Sequence, residues 1–373
     1  LTFKDLQLID PLLKAIEKAN YKVPTSIQQQ TIPLILKGND VMGCAQTGTG
    51  KTAAFILPIL QNLSIRKKQS KKPRALVLTP TRELALQISD NLKTYSIFLN
   101  SSYATIFGGV SAVPQIDKLK KGCEILVATP GRLIDLTNQK IIDLREIEIL
   151  VLDEADQMLD MGFVNDIKKI LKNIPTKRQT LFFSATMPTE IKKFANSILY
   201  NPKEVIANKV SSTVEIIEQK VCFVEKPKKP QALLHILQNI EQDKFIVFTR
   251  TKYGADKLVK FLKKNGIDSV AIHGNKSQNA RQNALENFKN DKIKILIATD
   301  IAARGIDISE LPCVINYELP NVAETYVHRI GRTGRAGKEG IAISFCSTEE
   351  QTDLKNIQKL IGFKLKELNI DLI

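Results

Sequence analysis

The sequence predicts an α/β chain of two tandem domains, each a parallel sheet with helices on both faces. Three observations carry that prediction. First, 373 residues are more than one hydrophobic core serves, and two domains of roughly 150–200 residues are the natural division. Second, short continuous apolar runs alternate with helical stretches, the pattern of strands buried on both sides of a parallel sheet. Third, the apolar runs end in unusual polar groups, and in such sheets ligand sites lie outside the carboxyl ends of the strands.

Composition narrows the function classes. Hydrophobic content of 43% and charged content of 25% are ordinary for a globular chain. No apolar run approaches the ~20 residues of a membrane span, and no secretory signal is visible. A cytoplasmic location is the expectation. The net charge of +15 is positive in both halves and favours a polyanionic partner, although many basic proteins are merely soluble. Cys44, Cys123, Cys222, Cys313 and Cys346 are scattered, four of them in or beside apolar runs. They read as buried thiols of a reducing compartment, not as disulfides or a zinc site. The three histidines have no metal-ligand spacing, so no transition metal is indicated.

Taken in order, Leu6 to Ala19 has helical periodicity, Pro24 breaks it, and Thr25 caps a second helix through Leu36. Gly38-Asn39 turns the chain into the strand Val41–Cys44. Ala45-Gln46-Thr47-Gly48-Thr49-Gly50-Lys51-Thr52 follows, with a helix to about Leu63 behind it. This is the strand–loop–helix setting of a phosphate-binding loop. Its backbone N–H groups and the helix N-terminus would hold phosphate oxygens, Lys51 would reach the β- and γ-phosphates, and Thr52 would bind Mg²⁺. A plain glycine-rich turn is the competing reading, and Ala45 stands where the first glycine is usual. Arg66, Lys67, Lys68, Lys71, Lys72 and Arg74 form a basic run, expected as solvated surface.

Further strands are expected at Ala75–Leu78, Thr105–Phe107, Ile125–Ala128, Ile149–Leu152 and Thr180–Phe183. They lead into Thr79-Pro80-Thr81-Arg82, Gly108-Gly109, Thr129-Pro130-Gly131-Arg132, Asp153-Glu154-Ala155-Asp156 and Ser184-Ala185-Thr186. Asp153 follows a hydrophobic strand, where the Mg²⁺-holding carboxylate of a phosphate-loop NTPase belongs, and Glu154 is placed to orient or deprotonate the attacking water. Adjacent acids at such a place are otherwise helix N-terminal charge. A first domain over 1–208, a linker over 209–218 and a second domain over 219–373 are expected. The second alternating set begins near Gln219, with strands at Phe245–Phe248, Val270–Ile272, Ile295–Ala298, Val314–Asn316 and Ile341–Ser344. It has no phosphate loop. It carries His328-Arg329-Ile330-Gly331-Arg332-Thr333-Gly334-Arg335 instead, and a last helix capped by Ser347 and Glu350 and ending near Gly362.

In this order the motifs resemble those of the DEAD-box ATP-dependent RNA helicases, from Phe3 to about Ile361. Asn20 to Gln28 is similar to the adenine-reading segment of that family, with Phe3 as its upstream aromatic. The second half, through His273 to Gln278 and Asn316 to Asn321, is most similar to the bacterial RhlE-type branch. The resemblance implies two RecA-like domains whose closure couples RNA-stimulated ATP hydrolysis to local separation of short duplexes or remodelling of RNA–protein complexes. It implies ATP and Mg²⁺ as cofactors, RNA as partner, and protein partners in ribosome assembly or RNA decay.

The implied roles follow residue by residue. Lys51, Asp153 and Glu154 carry hydrolysis, Arg332 and Arg335 serve as arginine fingers, and His328 couples them to Asp156, Ser184 and Thr186. Gln28 pairs with the adenine edge, Tyr21 stacks on the ring, and Gly305 and Asp307 match nucleotide contacts. Pro80, Arg82, Gly108, Gly109, Thr129 and Arg132 match positions used on the RNA backbone, as do Arg250, Gly274, Gln278, Arg281, Thr299 and Arg304. Contacts of that kind carry no base code, and the absence of Trp argues against extensive base stacking. A double-stranded DNA translocase of the same superfamily and an ATP-gated RNA clamp remain the alternatives.

Overall fold

The computed structural model describes residues 1–46, 48–66, 70–207, 217–303, 308, 311–334 and 340–370. The chain divides into two compact units, Leu1–Asn208 and Lys209–Ile373.

The first unit begins with a 3-10 turn, Phe3–Leu6, followed by α1 (Asp10–Lys18), α2 (Ser26–Leu36), β1 (Val41–Cys44), α3 (Lys51–Ile65), β2 (Ala75–Leu78) and α4 (Arg82–Tyr95). Next come β3 (Tyr103–Ile106), α5 (Val113–Lys120), β4 (Ile125–Ala128), α6 (Pro130–Asn138) and β5 (Ile149–Leu152). The unit closes with α7 (Ala155–Asp160), α8 (Val164–Leu171), β6 (Gln179–Ser184), α9 (Thr189–Ile198) and β7 (Lys203–Ile206). Among the described residues its sheet runs β3-β4-β2-β5-β6-β1-β7, with every pair parallel. The apolar strands are continuous because each face has its own core. Val77 and Val151 pack with Phe55 and Phe183 on one side, while Leu76, Leu78, Leu150 and Leu152 pack with Phe182 on the other.

The second unit has β8 (Ile217–Phe223), α10 (Lys229–Asn239), β9 (Phe245–Thr249), α11 (Lys252–Lys264), β10 (Val270–Ile272), α12 (Gln278–Lys289) and β11 (Ile295–Thr299). It continues with α13 (Asp300–Ala303), β12 (Cys313–Asn316), α14 (Ala323–Ile330), β13 (Gly340–Cys346), α15 (Gln351–Ile361) and β14 (Lys366–Glu367). Its described sheet is also parallel, in the order β10-β11-β9-β12-β13-β8-β14. Val247, Ile297 and Ile315 face one core; Ile246, Phe248, Leu296 and Val314 face the other.

Several expectations are corrected. The helix read over Leu6 to Ala19 is broken at Gln7, which sits in the left-handed region with φ 59°. Ile9 N–H then donates to the Gln61 side chain, and the true helix opens with Asp10-Pro11. β8 begins at Ile217, so the last two residues assigned to the linker pair with Gly340 and Ile341; 209–216 lie outside the described residues. β7 and β14 were not expected, because both are edge strands and show little apolar pattern. Arg74 is not solvated surface. It is buried, with its guanidinium on both oxygens of Glu148 at 2.8 and 3.2 Å and 3.6 Å from Glu124. Lys72 keeps a solvent-exposed side chain while pairing with Asp143 at 2.9 Å, and Lys67 and Lys68 lie outside the described residues. All five cysteines are free, four of them buried and Cys44 half-buried.

Candidate active site

Strand order decides what meets. β5, β6 and β1 are neighbours, so the groups that follow them share one part of the carboxyl edge. The loop after β1 reaches α3 through Gly50, whose φ of 89° lies in the left-handed region that favours glycine. A Cβ there would stand 2.4 Å from Gln28 Nε2. Lys51 is the first residue of α3 and is buried. Its ammonium donates to Ala45 O at 2.7 Å and lies 3.1 Å from Glu154 Oε1. Burial alone would push Lys51 down, but Glu154, Asp153 and Asp156 more than offset it and hold the ammonium above the ordinary lysine range. Asp153, also buried, is pushed up by burial and by its neighbour Glu154. Thr49 Oγ1 donates to Gln46 O at 2.7 Å, Thr52 is half-buried, and Thr47 lies outside the described residues.

Glu154 adopts φ 53° and ψ 49°, an uncommon conformation for a residue with a side chain. It is the N-cap of α7 yet makes no capping bond. Its Oε2 accepts a hydrogen bond from Gln157 Nε2 at 2.7 Å instead. Asp156 ties β5 to β6: its Oδ2 accepts from both the backbone N–H and the hydroxyl of Thr186, each at 2.9 Å. Ser184 Oγ donates to Thr186 O at 2.6 Å, and Ala45 N–H donates to Ser184 O at 3.0 Å. The three expected coupling residues of the first unit are thus joined to one another and to the loop.

Gln28 fastens α2 to the same loop. Its Oε1 accepts from Thr25 N–H at 3.0 Å, completing a capping box, and its Nε2 donates to Gly50 O at 3.1 Å. Asn20 takes the left-handed φ of 59°. Tyr21 is exposed, with its ring centroid 6.2 Å from that of Tyr95. Phe3 is buried in the core and presents no ring to the surface.

β2, β4 and β3 form the other neighbouring set. Arg82 opens α4 behind Thr81, whose hydroxyl accepts from Leu84 N–H at 3.3 Å. Gly109, at φ 72°, lies so close to Arg82 that a Cβ would fall 1.6 Å from the guanidinium. Gln115 holds the preceding turn through Phe107 N–H and O at 3.0 and 3.1 Å. Arg132, on α6 just after Thr129, donates to Val110 O at 2.9 Å. Arg82, Gly109, Thr129 and Arg132 are therefore brought together; Pro80 is buried at the end of β2, and Gly108 has open space where a Cβ would be.

In the second unit β10, β11 and β9 are adjacent, which gathers Gly274, Gln278, Arg281, Thr299 and Arg250 along one carboxyl edge. Arg250 is largely committed within the unit. Its Nε donates to Leu319 O at 2.5 Å and its Nη2 to Asp353 at 2.6 Å. Gln278 is buried at the start of α12, where Ser277 caps. Gly274 has open space around it, and Thr299 is buried. His328 is half-buried on α14 and Arg332 is buried two residues beyond that helix. Arg304, Gly305, Asp307 and Arg335 lie outside the described residues.

Sequence reading missed three features. Gln157 is one turn from Glu154, and that spacing was a usable signal. Arg329 is buried with its guanidinium on both oxygens of Asp300, at 2.5 and 2.8 Å. Lys229 is buried against Glu350, which also accepts from Leu319 N–H at 3.0 Å. Neither of these last two pairs is visible as a local pattern.

Two family domains match the chain: DEAD/DEAH box helicase over residues 25–194 and helicase conserved C-terminal domain over residues 228–337. The chain is 43% identical over 368 residues to the DEAD-box ATP-dependent RNA helicase CshA of Bacillus subtilis, covering 99% of this chain and 74% of that one. It is 42% identical over 372 residues to RhpA of Helicobacter pylori, covering 100% and 75%. Among solved structures, Mss116p bound to ssRNA and AMP-PNP is similar at TM-score 0.90 and 30% identity over 100% of this chain and 80% of that chain. S. cerevisiae Dbp5 bound to RNA and ADP BeF3 is similar at TM-score 0.88 and 32% identity over 98% and 95%. Motif order, tandem RecA-like folds and these likenesses agree: the chain belongs to the family of DEAD-box ATP-dependent RNA helicases.

Proposed function

We propose that the site in the first unit hydrolyses ATP by in-line attack of water oriented by Glu154, with Lys51 on the β- and γ-phosphates and Mg²⁺ held at Thr52 and Asp153. The observation that carries this reading is the buried Lys51–Glu154 pair beside Asp153, placed at the mouth of the phosphate loop. The residues suit the group. Gln46 Nε2 is buried in the loop without a partner, a donor that a phosphate oxygen would satisfy. Among the described residues no three His, Cys, Asp or Glu side chains are grouped to hold a metal alone, so Mg²⁺ at Thr52 and Asp153 would complete its shell with phosphate oxygens and water. ATP, when bound, supplies the phosphoryl group, and what the protein contributes is positioning and charge.

Gln28 supports a preference for adenine without giving up either bond it makes. Its carbonyl has a second lone pair and its amide a second N–H, enough for the N6 and N7 edge. Arg332 and Arg335 are the proposed arginine fingers, and domain closure on RNA the proposed trigger; the family resemblance supports both. RNA binding through Arg82, Gly109, Thr129 and Arg132 is supported by their convergence beside β2, β3 and β4. The RhlE-type placement rests on His273 to Gln278 and Asn316 to Asn321, while the bacterial relatives named above are CshA and RhpA. Partners in ribosome assembly or RNA decay and a cytoplasmic setting belong to the same reading; the free cysteines suit the latter. Among the described residues no helix is long and apolar enough to cross a membrane.

The test is steady-state ATPase with and without RNA, together with displacement of a short RNA duplex. Wild type should be strongly RNA-stimulated. Lys51→Ala and Glu154→Gln should lose turnover, the latter still binding ATP, and Arg332→Ala should lose the stimulated component. Normal turnover by Lys51→Ala or Glu154→Gln overturns the site assignment; equal rates without RNA overturn the trigger. A protein that hydrolyses ATP and holds RNA but displaces no strand is a clamp.

A further inference from the structure

The two oxygens of the Glu154 carboxylate have different partners. Oε1 lies 3.1 Å from Lys51 Nζ, and Oε2 accepts from Gln157 Nε2 at 2.7 Å. Residues 154 and 157 are three apart, so the side chains meet across one turn of α7. Both are buried, with 2% of each residue exposed. The left-handed backbone at Glu154 turns its side chain away from the usual capping geometry, and it makes no bond to the N-terminus of α7. The backbone N-terminus of α7 therefore does not orient this carboxylate; neighbouring side chains do.

Those neighbours are not equivalent. Lys51 belongs to the phosphate loop, and phosphate oxygens compete for its ammonium. Gln157 has no competing anion of that kind. Its backbone N–H is already taken by Asp156 Oδ1 at 3.0 Å, so the first turn of α7 fixes its position. Its Oε1 is buried without a hydrogen-bond partner, an arrangement that a purely structural amide would avoid. The amide is turned so that its donor, and not its acceptor, meets Glu154, because an ionised carboxylate only accepts.

We propose that Gln157 is a positioning residue for ATP hydrolysis. By holding Oε2 it fixes the rotation of the Glu154 carboxylate and leaves Oε1 as the oxygen offered to the attacking water. The inference rests on the reading of Glu154 as the water-orienting group and adds to it the residue that sets its orientation. Without the donor, Oε2 is a buried carboxylate oxygen in need of a partner. The group then rotates toward Lys51, and neither oxygen is held where water is attacked from. Small displacements of this kind are costly in rate.

The experiment compares Gln157→Met, which keeps the volume but not the donor, with Gln157→Lys, which restores a donor. RNA-stimulated kcat, KM for ATP and thermal unfolding are measured for each. Gln157→Met should lower kcat about ten-fold or more, the scale of one hydrogen bond to a charged group. Its KM for ATP should stay within about two-fold, since it loses no phosphate contact, and Gln157→Lys should recover a large part of kcat. In a Glu154→Gln background, Gln157→Met should change the single-turnover rate no further. A kcat for Gln157→Met within about two-fold of wild type, or an equal loss in Gln157→Lys, or an additive loss in the double variant overturns the proposal. If Gln157→Met does not fold, Gln157→Ala carries the same expectations. Glu154→Gln separates the two readings. An inactive Glu154→Gln beside an active Gln157→Met removes only the positioning role; an active Glu154→Gln removes the hydrolytic site itself.

Discussion

Arg329→Lys keeps the charge of a buried cation and removes its shape, and the structure gives the cost. The guanidinium makes four hydrogen bonds: two to Asp300, one to Asn316 Oδ1 at 3.1 Å and one to Glu318 O at 2.6 Å. It also lies 5.1 Å from the centroid of the Phe248 ring. These partners come from β9, α13, β12 and the turn after β12, so one side chain fastens the middle of the second sheet. A lysine reaches Asp300 with one point donor and leaves Asn316 Oδ1 and Glu318 O without theirs. Each buried acceptor left unpaired costs about 1–3 kcal/mol. Two such acceptors give about 2–6 kcal/mol, and because Glu318 is only half-buried the expected loss is about 2–4 kcal/mol. Arg329→Met leaves Asp300 without its cation, and breaking a buried pair in this way costs about 3–5 kcal/mol. The Asp300 side chain is 25% exposed, so water softens that figure toward its lower end. Urea unfolding followed by circular dichroism measures the loss, and hydrogen exchange read peptide by peptide locates it. Protection should fall in the second unit and stay unchanged in the first. A loss below about 1 kcal/mol for Arg329→Lys, or equal weakening of both units, refutes the reasoning.

Two further outcomes follow from the geometry. Gly109→Ala must place a Cβ where the Arg82 guanidinium lies, at a φ of 72° that itself costs an L-residue about 1–2 kcal/mol; RNA affinity should fall several-fold, and Arg82→Ala added to it should weaken RNA little further, whereas additive losses in a filter-binding titration would contradict the shared mechanism. Burial pushes Glu350 up, but hydrogen bonds from Lys229 and Ser347 outweigh it and hold its carboxyl below the ordinary glutamate range; a depressed pKa stabilises above the unfolded value of about 4.3 and that contribution fades as pH falls through the folded value, so Glu350→Gln should be less stable than wild type at neutral pH and the gap should close below about pH 4, and a gap constant with pH in urea titrations would exclude the linkage.

What was legible in the sequence was local. Four-residue apolar runs such as Ile149–Leu152 are strands because both faces of the sheet are covered, and no polar alternation is needed. The cap read at Thr25 formed, as a capping box completed by Gln28, and the box read at Ser347–Glu350 formed as well, although it caps a 3-10 turn that leads into α15. What escaped was long-range or at an edge. Arg74 sits in a basic run and looks solvated until Glu148, 74 residues later, is brought beside it by the pairing of β2 with β5. β7 shows only one buried residue, Val205, in its Lys-Glu-Val-Ile run, because an edge strand buries little. Phe3 matched the family's aromatic position, yet its ring is spent on the core of the first unit. The left-handed φ of Glu154 left no trace in composition.

Strand order also says how the proposed phosphate chemistry and the proposed RNA contact are kept apart and yet adjoin within the first unit. The groups after β1, β6 and β5 hold the side chains proposed for hydrolysis, and those after β2, β4 and β3 hold the set proposed to contact the RNA backbone. The two sets meet at one strand pair, β5 with β2, where Leu152 is in register with Leu78. There Asp153 N–H donates to Leu78 O at 2.9 Å, one residue before Thr79-Pro80-Thr81-Arg82. Thr79 N–H in turn donates to Ala128 O at 3.1 Å, and Thr129 N–H to Ile106 O at 3.1 Å. Backbone hydrogen bonds thus run in sequence from Asp153, the proposed Mg²⁺ ligand, to each loop proposed for RNA contact. Close-packed strands do not deform continuously. A shift of Asp153 is therefore met by a shift of the chain leading to Arg82, or it is resisted by it. In the first case the occupancy of one edge alters the geometry of the other, and under the proposed roles thermodynamic reciprocity makes RNA on Arg82 and Arg132 bear on Asp153 to the same extent.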